Sequence, residues 1–315
     1  MSRTQLQRDN RFIQLVPPTP LVQVRMDTDG PVIWCKLEFL NPSGSTKDRI
    51  ARYILEKAWR SGKLQKGARV VEASSGSTSI AFALASAQMG LRFTAVMPEG
   101  VSNERVLIIR AYGGEIILTA KEEGILGAMR RAESEAQKTG AFWPRQFENP
   151  DNPEAHKKST AQEILAQIPD GIVDAVVSGI GTGGTLVGLY EGLAESGCPV
   201  KAFAARPVSG GDGTNFDVEC CSFSVRIPGV ADGLSKLYSA TSIPNSAELE
   251  IRDSDALEMT RKLINAGFPV GPSSGLNYCC AMEAAKQLGD DAVVVTVFPD
   301  RMERYFSTEL FAALR

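Results

Sequence analysis

Val173-Asp174-Ala175-Val176-Val177-Ser178-Gly179-Ile180-Gly181-Thr182-Gly183-Gly184-Thr185 sets a short apolar run directly against a glycine-rich turn. A near-continuous apolar strand over Val173 to Ser178 suits a parallel sheet covered on both faces, and the turn after it suits a helix start. Outward from this unit, β-branched apolar runs recur at Val32 to Leu37, Arg69 to Glu72, Arg92 to Met97, Glu115 to Leu118, Val200 to Ala205 and Ala292 to Phe298. Stretches of helical period lie between them. Arg49 to Arg60 puts Ile50, Ile54, Leu55, Ala58 and Trp59 on one face, and Glu122 to Lys138 carries a charged outer side. This alternation predicts an α/β fold with a largely parallel sheet. The Pro- and Asn-rich stretch Asn149 to Pro153 marks a domain boundary, with a smaller domain ending near Arg145 and a larger one beginning there. Pro207 to Ser246, rich in Gly, Ser and Asp, reads as a long loop over a site.

Composition narrows the function. At roughly 150 residues per domain, 315 residues make about two domains. With 43% hydrophobic and 23% charged residues and a mean hydropathy of -0.09, the chain should build a packed core. The 34 basic against 37 acidic residues leave a net charge of -3, no footprint for nucleic acid or an acidic membrane. No apolar run approaches the roughly 18 residues of a membrane helix, and the polar start MSRTQLQRDNRF does not resemble a signal sequence, so a cytoplasmic location is expected. Six cysteines stand at Cys35, Cys198, Cys220-Cys221 and Cys279-Cys280 without a C-x-x-C spacing, and the chain has one histidine. No disulfides and no metal are therefore expected.

Four Gly/Ser-rich segments sit where a strand could hand over to a helix: Ser43 to Lys47, Ser74 to Thr78, Gly179 to Thr185 and Gly271 to Gly275. Each offers backbone N–H groups, small hydroxyls and the positive end of a helix dipole, the chemistry of an anion site. Read singly, each could be only a capped helix start. Gly179-x-Gly181-x-x-Gly184 also satisfies a dinucleotide fingerprint, but the next strand ends in Arg206 where an acidic residue is expected, leaving NADP open and the other loops unexplained. Gly271-x-Ser273-x-Gly275 formally matches a nucleophile elbow, yet the only histidine, His156, precedes Ser273, and Pro272 fits a strained elbow poorly. His156 reads as a satisfied structural histidine. Gly44-Ser45-Thr46-Lys47 fails the phosphate-loop pattern, with Phe39 and Thr46 in the wrong places. At a helix start among hydroxyls, Lys47 faces the positive dipole end, which favours the neutral amine that forms Schiff bases.

Asn41-Pro42-Ser43-Gly44-Ser45-Thr46-Lys47-Asp48-Arg49 resembles the cofactor-lysine motif of the cysteine synthase and cystathionine β-synthase family, the fold type II pyridoxal-phosphate enzymes. Similar segments follow in family order: Ser74 to Thr78, Met97-Pro98-Glu99, Gln146-Phe147-x-Asn149-Pro150, Gly181 to Thr185, Ser273-Ser274-Gly275 and Arg304 to Thr308. The resemblance implies a two-domain, three-layer αβα fold like the tryptophan synthase β chain, with largely parallel twisted sheets. It places the smaller domain over 37–145 and the larger, cofactor-binding domain over 1–36 plus 146–315.

It also implies roles. Lys47 would hold pyridoxal 5′-phosphate as an internal aldimine and then remove the substrate Cα proton. Gly181, Thr182, Gly183, Gly184 and Thr185 would cradle the cofactor phosphate, Ser77 would stand beside the cofactor ring, and Ser273 at the ring nitrogen. Ser74, Ser75, Gly76, Ser77 and Thr78, with Gln146, would bind the amino acid's carboxylate. A neutral Ser273 makes the cofactor a weaker electron sink than an aspartate would, which favours prompt loss of a β-substituent to aminoacrylate. The implied reaction is cysteine formation from O-acetylserine or O-phosphoserine and sulfide or a related thiol, in a homodimer. Net elimination from cysteine is the alternative within the family, and a silent cofactor- or partner-binding homologue the alternative outside it. The chain departs from the family pattern at Ser77, where asparagine is usual, at Arg206-Pro207 for Glu-Pro, and at Met302 for glycine. A serine-containing loop also occurs in bacterial cysteine desulfhydrases and S-sulfocysteine-forming relatives, which leaves the substrate open.

Overall fold

The structure, a computed structural model, describes residues 16–208, 227–230, 234–239, 243–289 and 291–314. Most of the loop expected over Pro207 to Ser246, with Cys220-Cys221, lies outside the described residues. In chain order the elements are β1 (Leu21–Val24), β2 (Ile33–Lys36), α1 (Lys47–Arg60), β3 (Arg69–Ala73), α2 (Ser77–Met89), β4 (Arg92–Pro98), α3 (Asn103–Ala111), β5 (Glu115–Thr119), α4 (Gly124–Thr139), α5 (Asp151–Lys158), α6 (Thr160–Gln167), β6 (Ala175–Gly179), α7 (Gly184–Glu195), β7 (Lys201–Val208), β8 (Ser246–Arg252), α8 (Asp253–Asn265), α9 (Pro272–Leu288) and β9 (Val294–Val297).

The chain divides into two units with junctions at Leu40/Asn41 and Gln146/Phe147. Asn41–Gln146 holds a parallel sheet in the order β3-β4-β5, with Val70 opposite Phe93 and Thr94 opposite Glu115. Phe82 of α2 stacks on Phe93 of β4 at a centroid distance of 6.1 Å. Beyond α4 the chain returns along β3, where Phe142 N–H donates to the Arg69 carbonyl at 2.8 Å and Val71 N–H to the Phe142 carbonyl at 3.0 Å. That pairing carries Trp143 to Gln146 alongside the end of β3.

The second unit contains a sheet in the order β1-β2-β9-β6-β7-β8, parallel except for the antiparallel β1-β2 pair. Its strands show why apolar runs need no polar face here. Along β6 and β7, Ala175, Val177, Phe203 and Ala205 join one core with Leu276, Tyr278 and Ala281 of α9. The intervening Val176, Ala202 and Ala204 join another core with Leu186, Leu189 and Leu193 of α7. Period-two alternation therefore feeds a helical layer on each face.

Two strands escape the sequence pattern. β1 is short and follows Pro17-Pro18-Thr19-Pro20, and β8 is an edge strand whose Glu248 and Arg252 are exposed, so neither shows an apolar run. Arg206-Pro207 is strand rather than loop: it extends β7 beyond β6, with Arg206 opposite and ion-paired to Glu250. Asn149 to Pro153 is a helix start rather than a linker, because the Asn149 side-chain oxygen accepts Asp151 N–H at 2.9 Å and opens α5.

A buried cation pins the start of this unit. Lys36 is fully buried, and its Nζ donates to the Thr19 carbonyl at 2.5 Å and Gln167 Oε1 at 3.1 Å and pairs with Glu163 Oε2 at 2.8 Å. Removing one member of such a pair strands the other. Lys36→Met should cost about 3 to 5 kcal/mol in urea unfolding, and Glu163→Gln added to it should recover part of the loss.

Candidate active site

In the first unit, Asn41 to Lys47 forms a turn that ends in α1. Gly44, with φ of 81°, donates its N–H to the Asn41 carbonyl at 2.7 Å. That left-handed φ favours glycine. Asp48, buried in the first turn of the helix, accepts Ser43 N–H at 2.9 Å and the Ser43 hydroxyl at 2.5 Å. Lys47 is the first helical residue and is only partly buried, and its N–H donates to Ser45 Oγ at 3.3 Å. Its position is fixed by the turn, while its amine lies on a flexible stem at the positive helix end.

The second loop leaves β3 and opens α2. Ser74 Oγ accepts the N–H groups of Gly76 at 2.9 Å and Ser79 at 3.3 Å, folding the loop around one hydroxyl. A Cβ on Gly76 would collide with Arg105, whose Nη1 donates to the Ser75 carbonyl at 3.0 Å. Thr78 donates its hydroxyl to Gln146 Oε1 at 2.7 Å, and Gln146 Nε2 donates to the Ala73 carbonyl at 2.6 Å. Thr78 and Gln146 are thus brought together as expected of partners, although the Thr78 proton is committed to Gln146. Ser75 and Ser77 are the partly exposed members of the loop.

Beneath this loop lies a residue the sequence reading passed over. Glu72 is 1% exposed and has no ion pair among the described residues. Its carboxylate accepts Ala73 N–H at 2.9 Å, Trp143 Nε1–H at 3.2 Å and Gln146 N–H at 3.1 Å, and the Arg145 N–H as well. Burial outweighs these donors and pushes its pKa up to about 7.

In the second unit, Gly179 to Thr185 leaves β6 and opens α7, with Gly183 at φ of 79°. The loop is gripped on every side. A Cβ on Gly181 would collide with the Gly229 carbonyl, and one on Gly184 with the Asn152 side chain. Gly179 N–H donates to Asn277 Oδ1 at 2.7 Å, and Ser235 Oγ donates to the Thr182 carbonyl at 2.6 Å. From α5, Asn152 Nδ2 donates to Thr182 Oγ1 at 2.9 Å, and His156 Nε2 lies 3.2 Å from Thr185 Oγ1. The other His156 nitrogen lies 2.9 Å from Thr160 Oγ1, so the ring sits between hydroxyls that can each donate or accept. His156 is a bracing histidine, and its target is a residue of the glycine loop. Asn152 and His156 stand four apart, on one helix face.

The fourth segment opens α9. Pro272 occupies the helix's first turn, where its missing N–H costs nothing, and this explains the residue that an elbow could not. Ser273 is 8% exposed, and the fully buried Ser274 hydroxyl has no partner among the described residues. Gly271 N–H donates to the Asp300 carbonyl at 2.9 Å, and Tyr305 donates its hydroxyl to Asp300 Oδ2 at 2.8 Å. The Arg304 to Thr308 segment thus braces the start of the Ser273 helix.

A family model described as pyridoxal-phosphate dependent enzyme matches residues 13–300. The chain belongs to the pyridoxal-phosphate dependent enzymes. It is 37% identical over 315 residues to a cysteine synthase of Staphylococcus aureus, covering 96% of this chain and 97% of that one. Among solved structures it is similar to an O-acetylserine dependent cystathionine β-synthase from Helicobacter pylori, with TM-score 0.83, 31% identity and 99% of both chains covered. A hydrogen sulfide-producing enzyme from Fusobacterium nucleatum gives TM-score 0.84 at 33% identity, over 98% of this chain and 92% of that one. An O-ureido-L-serine synthase gives TM-score 0.83 at 32% identity, over 100% and 96%.

The family's cofactor is pyridoxal phosphate, and the residues present fit it. Glycines whose Cβ positions are filled by protein, hydroxyls at Thr182 and Thr185 and a helix N-terminus are groups suited to a phosphate. The dinucleotide and elbow readings fall with the family assignment, and Arg206 is ion-paired to Glu250. Asn152, Asn277 and Glu72 hydrogen-bond to these loops or to the backbone beside them and were missed in the sequence, where only the i, i+4 spacing of Asn152 and His156 offered a signal.

Glu72 makes a testable contribution to stability. With its pKa raised from 4.5 to about 7, it stabilises the fold fully below pH 4.5 and loses that contribution as pH rises through 7. Relative to Glu72→Gln, the wild type should lose up to about 3 kcal/mol across this window, read from urea unfolding at stepped pH.

Proposed function

We propose that this enzyme catalyses β-replacement on O-acetylserine or O-phosphoserine, with sulfide or a related thiol as nucleophile, to form L-cysteine or a related S-substituted product. The observation that carries the substrate class is the braced loop of Ser74 to Thr78 with Gln146, a concentration of N–H and hydroxyl groups at a helix start suited to an α-carboxylate. The 37% identity to a cysteine synthase supports the reaction. When bound, pyridoxal phosphate supplies the electron sink for the substrate's Cα.

The chain's residues do the rest. Lys47 Nζ would hold the cofactor and would take the substrate's Cα proton. Gly181, Thr182, Gly183, Gly184 and Thr185 bind the phosphate. Ser77 stands beside the ring, and Ser74, Ser75, Gly76 and Thr78, with Gln146, orient the carboxylate. Ser273 would offer the ring nitrogen a neutral hydroxyl rather than a carboxylate, a weaker electron sink that suits loss of a β-substituent. The smaller domain of 37–145 carries the substrate loop and the larger domain the phosphate cradle.

A second reading rests on Ser77. A serine there reaches less far than the family's asparagine, which supports β-elimination of cysteine with water to sulfide, pyruvate and ammonia. The hydrogen sulfide-producing relative supports the same direction. The protein works, in this proposal, as a cytoplasmic homodimer. The free thiols of Cys35, Cys198, Cys279 and Cys280 suit a reducing compartment, and among the described residues no helix is long and apolar enough to cross a membrane.

Borohydride reduction of the yellow holoenzyme, followed by peptide mass spectrometry, should place the pyridoxyl label on Lys47; label on another lysine overturns the assignment. Product assays on O-acetylserine, O-phosphoserine and cysteine, reading thiol, sulfide and pyruvate, decide between the two reactions. Ser77→Asn should shift the ratio of replacement to elimination by about tenfold, the worth of one hydrogen bond to a polarised group, while leaving cofactor affinity within about twofold.

A further inference from the structure

Arg145 is one of two described non-glycine residues with a positive φ, at 56°. A side chain in this left-handed conformation is costly, so the surrounding structure must hold it there. Glu72 supplies that hold. Glu72 accepts the backbone N–H of Arg145 and, at 3.1 Å, that of Gln146, so one carboxylate closes on two successive amides at the strained position. The same carboxylate is anchored on its own strand by Ala73 N–H at 2.9 Å and laterally by the Trp143 indole N–H at 3.2 Å. The Arg145 guanidinium lies over that indole at 4.9 Å, outside the buried cluster.

The consequence reaches Gln146. With its backbone fixed by Glu72, its side chain spans from the Ala73 carbonyl at 2.6 Å to the Thr78 hydroxyl at 2.7 Å. The first contact is at the last residue of β3 and the second in the first turn of α2, so Gln146 bridges the two ends of the loop between them. A buried carboxylate costs more than a hydrophobic filler unless its donors are well placed, and a hydrophobic residue could not grip two amides. We propose that Glu72 is a positioning residue for the substrate's carboxylate: it clamps the left-handed Arg145-Gln146 turn and so sets the side-chain amide of Gln146 against the Ser74 to Thr78 loop. This rests on the reading that Gln146 and that loop hold the carboxylate.

Glu72→Gln keeps the shape but turns an NH2 toward backbone N–H groups, so one of the two grips must fail. In the holoenzyme it should raise KM for the amino-acid substrate about tenfold, while kcat, KM for sulfide and the cofactor absorbance stay within about twofold. Hydrogen exchange at the Arg145 and Gln146 amides should quicken in the same variant, a readout independent of turnover. Glycine accepts a positive φ without strain, so Arg145→Gly added to Glu72→Gln should restore about threefold of the lost KM. If Glu72→Gln does not accumulate as folded protein, the double variant compared with Arg145→Gly alone carries the test, with a raised KM expected. An unchanged KM, unchanged exchange at the two amides, or loss of cofactor in place of substrate affinity would overturn the inference. Gln146→Ala separates the two levels: if it leaves KM unchanged, the carboxylate reading itself is wrong, whereas a raised KM there with none in Glu72→Gln rejects only the role of Glu72.

Discussion

A backbone amide can bind an anion only if no side chain stands in the way and the backbone cannot drift. Both conditions bear on Gly179 to Thr185. The Cβ positions of Gly181 and Gly184 are already filled, by the Gly229 carbonyl and the Asn152 side chain, so glycine is demanded by the protein packed behind the loop. Much of the second unit is arranged to supply that packing. Asn277 reaches from α9 to Gly179 and to the Val297 carbonyl at 2.9 Å, tying the loop's first residue to β9. α5 supplies Asn152 and His156 from its inner face. Rigidity here is what an anion site requires, because amides aimed in advance lose little on binding.

The first unit solves a related problem with side chains. Its loop is folded around the Ser74 hydroxyl, locked by the Thr78 to Gln146 bond and covered by Arg105. Beneath it sits a carboxylate whose negative charge is met by N–H donors alone. A salt-bridged glutamate would be more stable as an anion, yet a cation at Glu72 would take the place of an amide donor. Its raised pKa follows from burial without a cation, which the N–H donors only partly offset.

The legibility of the chain follows the same division. Strands buried on both faces announce themselves as apolar runs, so Val173 to Ser178 and Ala292 to Phe298 were readable, whereas the edge strands were not: β1 is only four residues and holds Gln23, and β8 is half-exposed and interrupted by charge. The anion loops were readable because Gly, Ser and Thr concentrate at helix starts. Their supports were not. His156 was read as a satisfied structural histidine, but Asn152, Asn277 and Glu72 are single polar residues whose partners lie far off in sequence, as with Asn277 and Gly179, separated by 98 positions, and Glu72 and Gln146, by 74. In the Asn-Pro stretch, Asn149 and Pro150 are as much helix openers as loop residues, and only the Asp151 N–H bond shows that a helix begins there, just after the unit junction at Gln146/Phe147.

The polar burial also explains why so neutral a chain can handle charged molecules. Its net charge is -3, and the loops are built from glycine, serine and threonine rather than from arginine clusters. Amides and hydroxyls lose less than guanidinium groups when desolvated, and they do not repel a lysine amine that must stay neutral to react. A cationic pocket would bind anions more strongly over a longer range, but it would not specify where each oxygen goes. Short, fixed donors specify position, and in a β-substitution enzyme position decides which bond to Cα or Cβ breaks. In the proposed reaction, serine in place of asparagine at Ser77 would act at this level: it leaves the charge unchanged and shortens the reach of a hydrogen bond, so it could redirect the reaction without weakening the hold on the phosphate.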